Sequence, residues 1–208
     1  MKILICDDHK IVRQGLRQIL QKMEEVTLIE EAGDGDEALK LLKIKAFDIL
    51  LLDISLPGRS GLEVLKAVKT KWPSTNVLML SIYTHQQYAI NAIKFGASGY
   101  LSKDTALEEL IKAVRAVSKG GNYISQSLAF TLAFHDNKDQ GRQKHELLST
   151  REFEILIEMA NGKSQQKIGD ELCISNKTIG TYRRRILDKM ELSSNVELMR
   201  YCLENKLI

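Results

Sequence analysis

Acidic residues follow two apolar segments in the first half of the chain. Asp7 and Asp8 come directly after the strand-like stretch 2–6, and Asp53 follows the apolar run Ile49–Leu52. Four consecutive apolar residues are typical of a strand that is buried on both faces of a parallel sheet. In such sheets ligands bind just outside the carboxyl ends of the strands. We therefore expect the three carboxylates to lie close together, although each alone could equally begin a turn or cap a helix.

A hydroxyl and an ammonium group follow two further strand-like segments. Ser81 comes after 76–80, and Lys103 comes shortly after 99–101. Three carboxylates in one crevice repel one another and attract a hard dication, most naturally Mg²⁺. A lysine across the crevice and a nearby hydroxyl can bind phosphoryl oxygens. Taken singly, these two residues would be a solvated lysine and a turn serine, but together the groups predict phosphoryl transfer to Asp53.

A basic stretch near the C-terminus has a helical apolar repeat. The period of 3.6 residues predicts one inward and one outward face for this helix. The inward face contains Ile179, Tyr182, Ile186 and Met190, and the outward face contains Lys177, Thr181 and Arg184, with Gly180 and Arg185 beside them. A shorter helix and a tight turn precede it, and Gly169 is small where the two helices would cross. This order predicts a helix-turn-helix whose exposed face enters the DNA major groove, although a short basic run alone is more often a solvated surface.

The elements that would position the acidic crevice alternate between strand and helix patterns. Five β–α units follow one another over residues 1–120, which indicates an α/β doubly wound fold with a five-stranded parallel sheet. Capping-box patterns start two of its helices, at Asp34 and at Ser60. Gly120 and Gly121 then end the alternation.

The remaining chain divides into a linker and an all-α part. Residues 121–146 are predicted to form the linker, with one short helix starting near Ser125 and a polar, mixed-charge stretch after it. Residues 147–208 show four helical patterns, and Ser149 begins the first of them with a capping box. We therefore predict two domains, the second being a four-helix, all-α helix-turn-helix domain.

Composition narrows the class of protein. Of 208 residues, 44% are hydrophobic and 27% are charged, as expected for a soluble globular protein. No apolar run approaches the roughly 18–20 residues that cross a bilayer, so we expect no membrane partner. The N-terminus enters a strand pattern without a signal peptide, and the three scattered cysteines lack metal-ligand spacing, so we expect reduced thiols and a cytoplasmic location. The net charge of +3 is too small to indicate nucleic-acid binding by itself.

Residues 1–120 resemble the receiver domain of two-component response regulators. The resemblance covers the acid pair after the first strand, Asp53 followed by Pro57 and Gly61, and the residues after the fourth and fifth strands. It implies a flavodoxin-like fold in which a sensor histidine kinase phosphorylates Asp53. It further implies that Asp8, Asp53 and the backbone carbonyl of Ser55 ligate Mg²⁺ with help from Asp7. The phosphoryl-binding and switch residues would be Ser81, Tyr100 and Lys103, although Tyr100 could also be ordinary packing.

Residues Ser149–Ile208 resemble the LuxR-type DNA-binding module of the NarL/FixJ family. The matching segments are 148–152, 174–179 and Leu192. The implied function is a response regulator that, once phosphorylated, binds DNA as a homodimer at two-fold symmetric or repeated half-sites and regulates transcription. In the family the fourth helix forms the dimer contact, although core packing could equally explain its apolar residues.

The chemistry of the side chains indicates which contacts the basic helix can make. Lys177, Arg184 and Arg185 can bind phosphates or guanine edges, and Thr181 can contact a thymine methyl group. The predicted DNA-binding residues are therefore Lys177, Thr178, Gly180, Thr181, Arg184 and Arg185. Gly180 stands where family members often carry a longer side chain, which favours either close backbone approach or looser base discrimination.

Two other functions compete with this interpretation. A metal-dependent phosphatase with an aspartyl-phosphate would place a second acid two residues after the nucleophile, where this chain has Ser55. A DNA-binding protein that needs no phosphorylation would use the first domain only as a scaffold, and it would not require the acidic crevice. We therefore expect a regulator and not an enzyme, apart from any Mg²⁺-dependent phosphorylation and dephosphorylation of the receiver itself.

Overall fold

The computed structural model describes residues 1–81, 86–103, 107–124, 143–205 and 207–208. The chain divides into two compact units, Met1–Ala133 and Phe134–Ile208. Among the described residues, no helix is long and apolar enough to span a membrane. The helix predicted from Ser125 lies outside the described residues.

The first unit is built on a five-stranded sheet whose strand pairs are all parallel. The strands are β1 (Lys2–Cys6), β2 (Leu28–Ala32), β3 (Ile49–Asp53), β4 (Asn76–Ser81) and β5 (Gly99–Ser102). Their order in the sheet is β2-β1-β3-β4-β5, so β3 is central. Every residue of β3 is buried, as its apolar sequence predicts. The predicted fold class is confirmed for this unit.

Helices cover both faces of the sheet. They are α1 (Lys10–Leu20), α2 (Gly35–Ile44), α3 (Gly61–Lys71), α4 (Gln86–Lys94) and α5 (Leu107–Ser118). Residues of α1 and α5 share one apolar core with alternate residues of the strands. Helices α2, α3 and α4 contact one another in that order and pack against the sheet. Apart from their ends, β1, β3, β4 and β5 are thus dry on both sides, whereas the edge strand β2 is half-buried over residues 28–31.

Of the two capping boxes predicted at Asp34 and Ser60, only the one at Ser60 is complete. Ser60 caps α3 with a full capping box: its side chain accepts from the Glu63 amide, and the Glu63 carboxylate accepts from the Ser60 amide. Asp34 also caps its helix as predicted. The Glu37 carboxylate, however, accepts a hydrogen bond from the amide of Gly33 and not from that of Asp34, so the second box is incomplete.

The second unit is helical, as predicted. A 3₁₀ turn (Lys144–Leu147) precedes α6 (Thr150–Ala160), α7 (Gln165–Glu171), α8 (Asn176–Met190) and α9 (Asn195–Glu204). Helix α6 contacts α7, α8 and α9 and is the centre of this unit. A Cβ atom on Gly169 would lie 2.7 Å from the carbonyl oxygen of Ile174, so the small residue is required where α7 meets the turn before α8.

Candidate functional site

Two acidic side chains and one lysine meet at the carboxyl ends of the strands. Asp53 is the last residue of β3, Asp7 follows β1, and Lys103 follows β5. The Lys103 Nζ atom lies 2.6 Å from Oδ2 of Asp7 and 2.7 Å from Oδ2 of Asp53. Both carboxylates are almost completely buried. The central position of β3 in the sheet therefore brings together residues that are 46 or more positions apart in the chain.

The negative charge of this pocket exceeds its positive charge, and burial and charge together shift the pKa values of its groups. Burial raises the pKa of the Asp53 carboxyl to about 6; Lys103 opposes this rise and Asp7 adds to it. Burial by itself would lower the pKa of Lys103, but the attraction of Asp53 and Asp7 raises it. Lys103 is therefore held charged between two acids, and one cation is insufficient to balance the carboxylates nearby.

Asp8 and His9 complete the acidic edge. The His9 Nδ1 atom lies 2.7 Å from Oδ1 of Asp8 and 3.5 Å from Oδ1 of Asp7. One ligand atom from each of Asp7, Asp8, His9 and Asp53 can be chosen so that all lie within 4.8 Å of one another. Excess negative charge and converging carboxylate oxygens fit a hard divalent cation such as Mg²⁺. Sequence reasoning missed His9, although its position beside the acid pair could have indicated it.

Backbone contacts fix the two acidic segments. The amide of Ser55 donates to Oδ1 of Asp53 at 3.3 Å, and the amide of His9 donates to Oδ1 of Asp7 at 2.9 Å. The Arg13 guanidinium donates to the backbone carbonyl of Asp7 at 2.7 Å and also to Glu31 on β2. Arg13 thus ties α1 to the end of β1. No signal in its local sequence distinguishes it from a surface arginine.

The predicted switch residues are buried and in contact with each other. Ser81 ends β4, Tyr100 lies in β5, and their side chains are hydrogen-bonded. Burial raises the pKa of the Tyr100 hydroxyl to about 12, so the phenol stays protonated. The Tyr100 ring is packed inside the protein, and its hydroxyl lies beside that of Ser81.

Helix α8 presents the predicted basic face to solvent. Lys177, Thr178, Thr181, Arg184 and Arg185 are exposed, and Gly180 is half-buried. The helix is positioned by Ser175, whose hydroxyl caps it by accepting from the amide of Thr178 at 3.1 Å. A shallow cavity of about 270 Å³ lies on this face. Its lining residues are Lys177, Thr178, Thr181, Tyr182 and Arg185.

The buried side of α8 differs from the prediction at one position. Ile179, Ile186 and Met190 are buried as expected, but Tyr182 is only half-buried and lines the cavity on the basic face. Leu187 is buried in its place. The helix is 15 residues long and packs against more than one neighbour, so its buried face is wider than a single stripe.

Both halves of the chain match family models. Residues 3–115 match the response regulator receiver domain, and residues 146–202 match the bacterial regulatory proteins of the luxR family. The chain belongs to the NarL/FixJ family of two-component response regulators. Members of this family regulate transcription and are not enzymes in the ordinary sense, as the sequence predicted.

Several response regulators match over nearly their whole length. GacA of Pseudomonas aeruginosa is 35% identical over 199 residues, which cover 95% of this chain and 93% of GacA. The oxygen regulatory protein NreC of Staphylococcus carnosus is 35% identical over 215 residues, which cover 100% of this chain and 99% of NreC. UvrY of Escherichia coli K12 is 31% identical, with coverage of 100% and 95%.

Solved structures of another response regulator are similar as well. RcsB of Salmonella enterica serovar Typhimurium, bound to the rprA promoter in the presence of the phosphomimetic BeF3⁻, has a TM-score of 0.67 at 25% identity, with 97% of each chain covered. An RcsB–DNA complex has a TM-score of 0.61 at 26% identity, covering 97% of this chain and 96% of that chain.

Proposed function

We propose that this response regulator accepts a phosphoryl group on Asp53 from a sensor histidine kinase and then binds DNA as a dimer. The observation that carries the proposal is the contact of Lys103 Nζ with both Asp53 and Asp7 at the centre of the sheet edge. We assign residues 1–120 to the receiver, 121–146 to the linker and 147–208 to the DNA-binding domain. We further place the regulator in the cytoplasm, where DNA is accessible.

The residues of the pocket have separate tasks in phosphoryl transfer. A carboxylate oxygen of Asp53 attacks phosphorus, the bond from phosphorus to the kinase histidine breaks, and an acyl phosphate results. Asp8, Asp53 and the carbonyl of Ser55 would hold Mg²⁺ with help from Asp7, and the ion would neutralise charge on the phosphoryl oxygens. Lys103 already lies within hydrogen-bond distance of the acceptor carboxylate, and its ammonium group would bind a phosphoryl oxygen.

Ser81 and Tyr100 would transmit phosphorylation to the rest of the domain. A phosphoryl group adds about 1.5–2 negative charges to the pocket. The Ser81 hydroxyl would bond to it, which changes the contact that now joins Ser81 to Tyr100. To shift the domain from an almost fully inactive to an almost fully active population, the phosphoryl group must favour the active state by about 5.5 kcal/mol.

The DNA-binding domain supplies a basic helix and an apolar face. The exposed residues of α8 would contact DNA: Lys177, Thr178, Gly180, Thr181, Arg184 and Arg185. On α9, Val196, Met199 and Leu203 are exposed, whereas Leu198 and Cys202 are buried. Core packing therefore leaves three apolar side chains of α9 unused, and these would form the dimer contact. A two-fold dimer then requires half-sites about one helical turn apart, or repeated half-sites.

DNA binding before and after phosphorylation tests this proposal. The DNA used is first selected for binding to the phosphorylated protein. Addition of a small phosphodonor and Mg²⁺ should then raise the affinity of the full chain for this DNA by about tenfold or more. The Asp53→Ala variant should bind DNA like the unphosphorylated protein under both conditions. If affinity is the same with and without a phosphoryl group on Asp53, the regulator binds DNA independently of phosphorylation.

Arg184→Ala should reduce the salt dependence of DNA binding. If Arg184 contacts a phosphate, its removal decreases the slope of log affinity against log salt by about one and weakens binding to all sequences similarly. Fluorescence anisotropy at several salt concentrations measures the slope. The control is Arg59→Ala, which removes an exposed arginine of the first unit and should leave the slope unchanged. An unchanged slope in Arg184→Ala rules out the phosphate contact.

Gly180→Ala should stabilise the second unit and weaken DNA binding. The nearest atom to a Cβ at this position is the Gln165 side-chain oxygen at 3.8 Å, so alanine fits. Alanine inside a helix is favoured over glycine by about 0.8–1 kcal/mol. If the helix backbone approaches DNA at Gly180, the added methyl group reduces affinity although the protein is more stable. Calorimetric melting and anisotropy measure the two effects, and undiminished DNA affinity would instead indicate loose base discrimination.

A further inference from the structure

We propose that His9 sets the metal selectivity of the acidic pocket, so that Zn²⁺ binds there more tightly than Mg²⁺ and blocks phosphoryl acceptance. This inference rests on the proposed function of Asp53. It concerns a residue that has no part in the phosphoryl transfer described above.

The position of the His9 imidazole supports its role as a ligand. His9 precedes α1, and its ring is largely exposed at the mouth of the pocket. Its Nδ1 atom lies 2.7 Å from Oδ1 of Asp8, and its own amide bonds to Oδ1 of Asp7. The ring nitrogen and the carboxylates of Asp7, Asp8 and Asp53 offer ligand atoms that converge within 4.8 Å. An exposed ring can rotate towards an ion without disturbing the protein core.

The pocket has oxygen atoms left for a cation even with Lys103 in place. Lys103 contacts the Oδ2 atoms of Asp7 and Asp53. Their Oδ1 atoms accept backbone amide hydrogen bonds, from His9 and Ser55 respectively, and the His9 Nδ1 atom lies 3.5 Å from Oδ1 of Asp7. These Oδ1 atoms, together with Asp8 and His9, therefore offer a cation ligand atoms that Lys103 does not use.

The chemistry of the donor atoms distinguishes the two metals. Mg²⁺ prefers oxygen ligands and retains water, so an imidazole nitrogen adds little to its binding. Zn²⁺ binds imidazole and carboxylate strongly and usually accepts four ligands. A site with one histidine and three aspartates can satisfy Zn²⁺ with protein atoms alone, in the manner of closed zinc sites. No coordination position then remains for a phosphoryl oxygen, and the attacking carboxylate of Asp53 is engaged.

Titration calorimetry of the full chain with Zn²⁺ and with Mg²⁺ tests the selectivity. Wild type should bind Zn²⁺ more tightly than Mg²⁺, and His9→Ala should weaken Zn²⁺ binding at the pocket by about tenfold or more while changing Mg²⁺ binding by less than about twofold. His9→Gln replaces the nitrogen ligand with a hard amide oxygen and should lose Zn²⁺ affinity to a similar extent. Asp8→Asn identifies the heat that belongs to the pocket, since Cys173 is exposed and free and can bind Zn²⁺ elsewhere.

Pulsed electron paramagnetic resonance with Cu²⁺, a probe ion that accepts imidazole ligands as Zn²⁺ does, provides a direct readout of ligation. Cu²⁺ in the wild-type pocket should show coupling to an imidazole nitrogen, and His9→Ala should lose this coupling. Equal losses of Zn²⁺ and Mg²⁺ affinity in His9→Ala, or no nitrogen coupling in wild type, would overturn the assignment.

The inhibitory effect has a separate test. In excess Mg²⁺, added Zn²⁺ should slow phosphorylation of wild type by about tenfold, and this inhibition should largely disappear in His9→Ala. If Zn²⁺ inhibits both proteins equally, His9 does not control access to Asp53. If neither protein is phosphorylated without Zn²⁺, the proposed function fails, whereas the calorimetry still decides whether His9 is a metal ligand.

Discussion

Asp53→Asn should stabilise the first unit of the metal-free protein, and the gain should develop as the pH rises from about 4 to about 6. The pKa of Asp53 is raised to about 6 from 3.8, because its carboxyl is buried beside Asp7. One unit of pKa corresponds to about 1.4 kcal/mol, so ionisation of this group costs the folded state about 3 kcal/mol above pH 6. Asparagine has a similar shape and removes the charge.

The sign of this effect follows from proton linkage. A carboxyl with a raised pKa contributes stability that is fully present below its unfolded pKa and is lost as pH increases through the folded pKa. Wild type should therefore lose stability relative to the variant between about pH 4 and 6. Urea unfolding followed by Trp72, the only tryptophan and a residue of the first unit, measures the difference.

The control for this prediction is Asp36→Asn. Asp36 is an exposed acid that pairs with Arg59, so its replacement should change the unfolding free energy by less than about 1 kcal/mol. Mg²⁺ should stabilise wild type and have little effect on Asp53→Asn. Equal stabilities of wild type and Asp53→Asn at pH 8 would contradict a free-energy cost of ionising Asp53 in the folded protein.

Gly61→Ala should strongly destabilise the first unit. A Cβ atom at this position would lie 1.9 Å from the carbonyl oxygen of Asp53 and 2.9 Å from Cα of Ile54. These are backbone atoms, so no change of rotamer relieves the clash. Overpacking typically costs about 1–3 kcal/mol, and we expect a value at or above the upper end. The displaced end of β3 should also reduce Mg²⁺ affinity, because Asp53 is its last residue.

Gly15→Ala is the matched control for this substitution. Gly15 lies in α1 and is exposed, and no atom lies within 4 Å of a Cβ built there. Alanine should stabilise the unit by up to about 1 kcal/mol. Urea unfolding of both variants gives the comparison, and a Gly61→Ala protein as stable as wild type would contradict the close packing of α3 on β3.

The sequence predicted the sheet and the acidic pocket because both follow from simple rules. Apolar runs define parallel strands, and the residues after those runs must share an edge of the sheet. Asp7, Asp53 and Lys103 could therefore be placed together without knowing the strand order. That these residues hold the phosphoryl group and the metal stays a prediction, as do the domain boundaries.

Other features depend on three-dimensional packing that no local pattern encodes. Arg13 reaches the carbonyl of Asp7 only because α1 packs beside β2, where Glu31 also holds it. His9 is different, because its position directly after the acid pair could have indicated that it belongs to the pocket. Tyr182 was expected to face inward because it falls on the helical repeat of Ile179 and Ile186, but it lines the cavity on the basic face of α8.

Intact-mass measurement after incubation with a small phosphodonor tests the central claim most directly. The account predicts one phosphoryl adduct on wild type in the presence of Mg²⁺, and none without Mg²⁺ or in Asp53→Ala. Asp36→Asn should be phosphorylated like wild type, because Asp36 is exposed and pairs with Arg59 and not with a residue of the pocket. An adduct that persists in Asp53→Ala, or the absence of any adduct with Mg²⁺ present, would contradict the assignment of Asp53 as the phosphoacceptor.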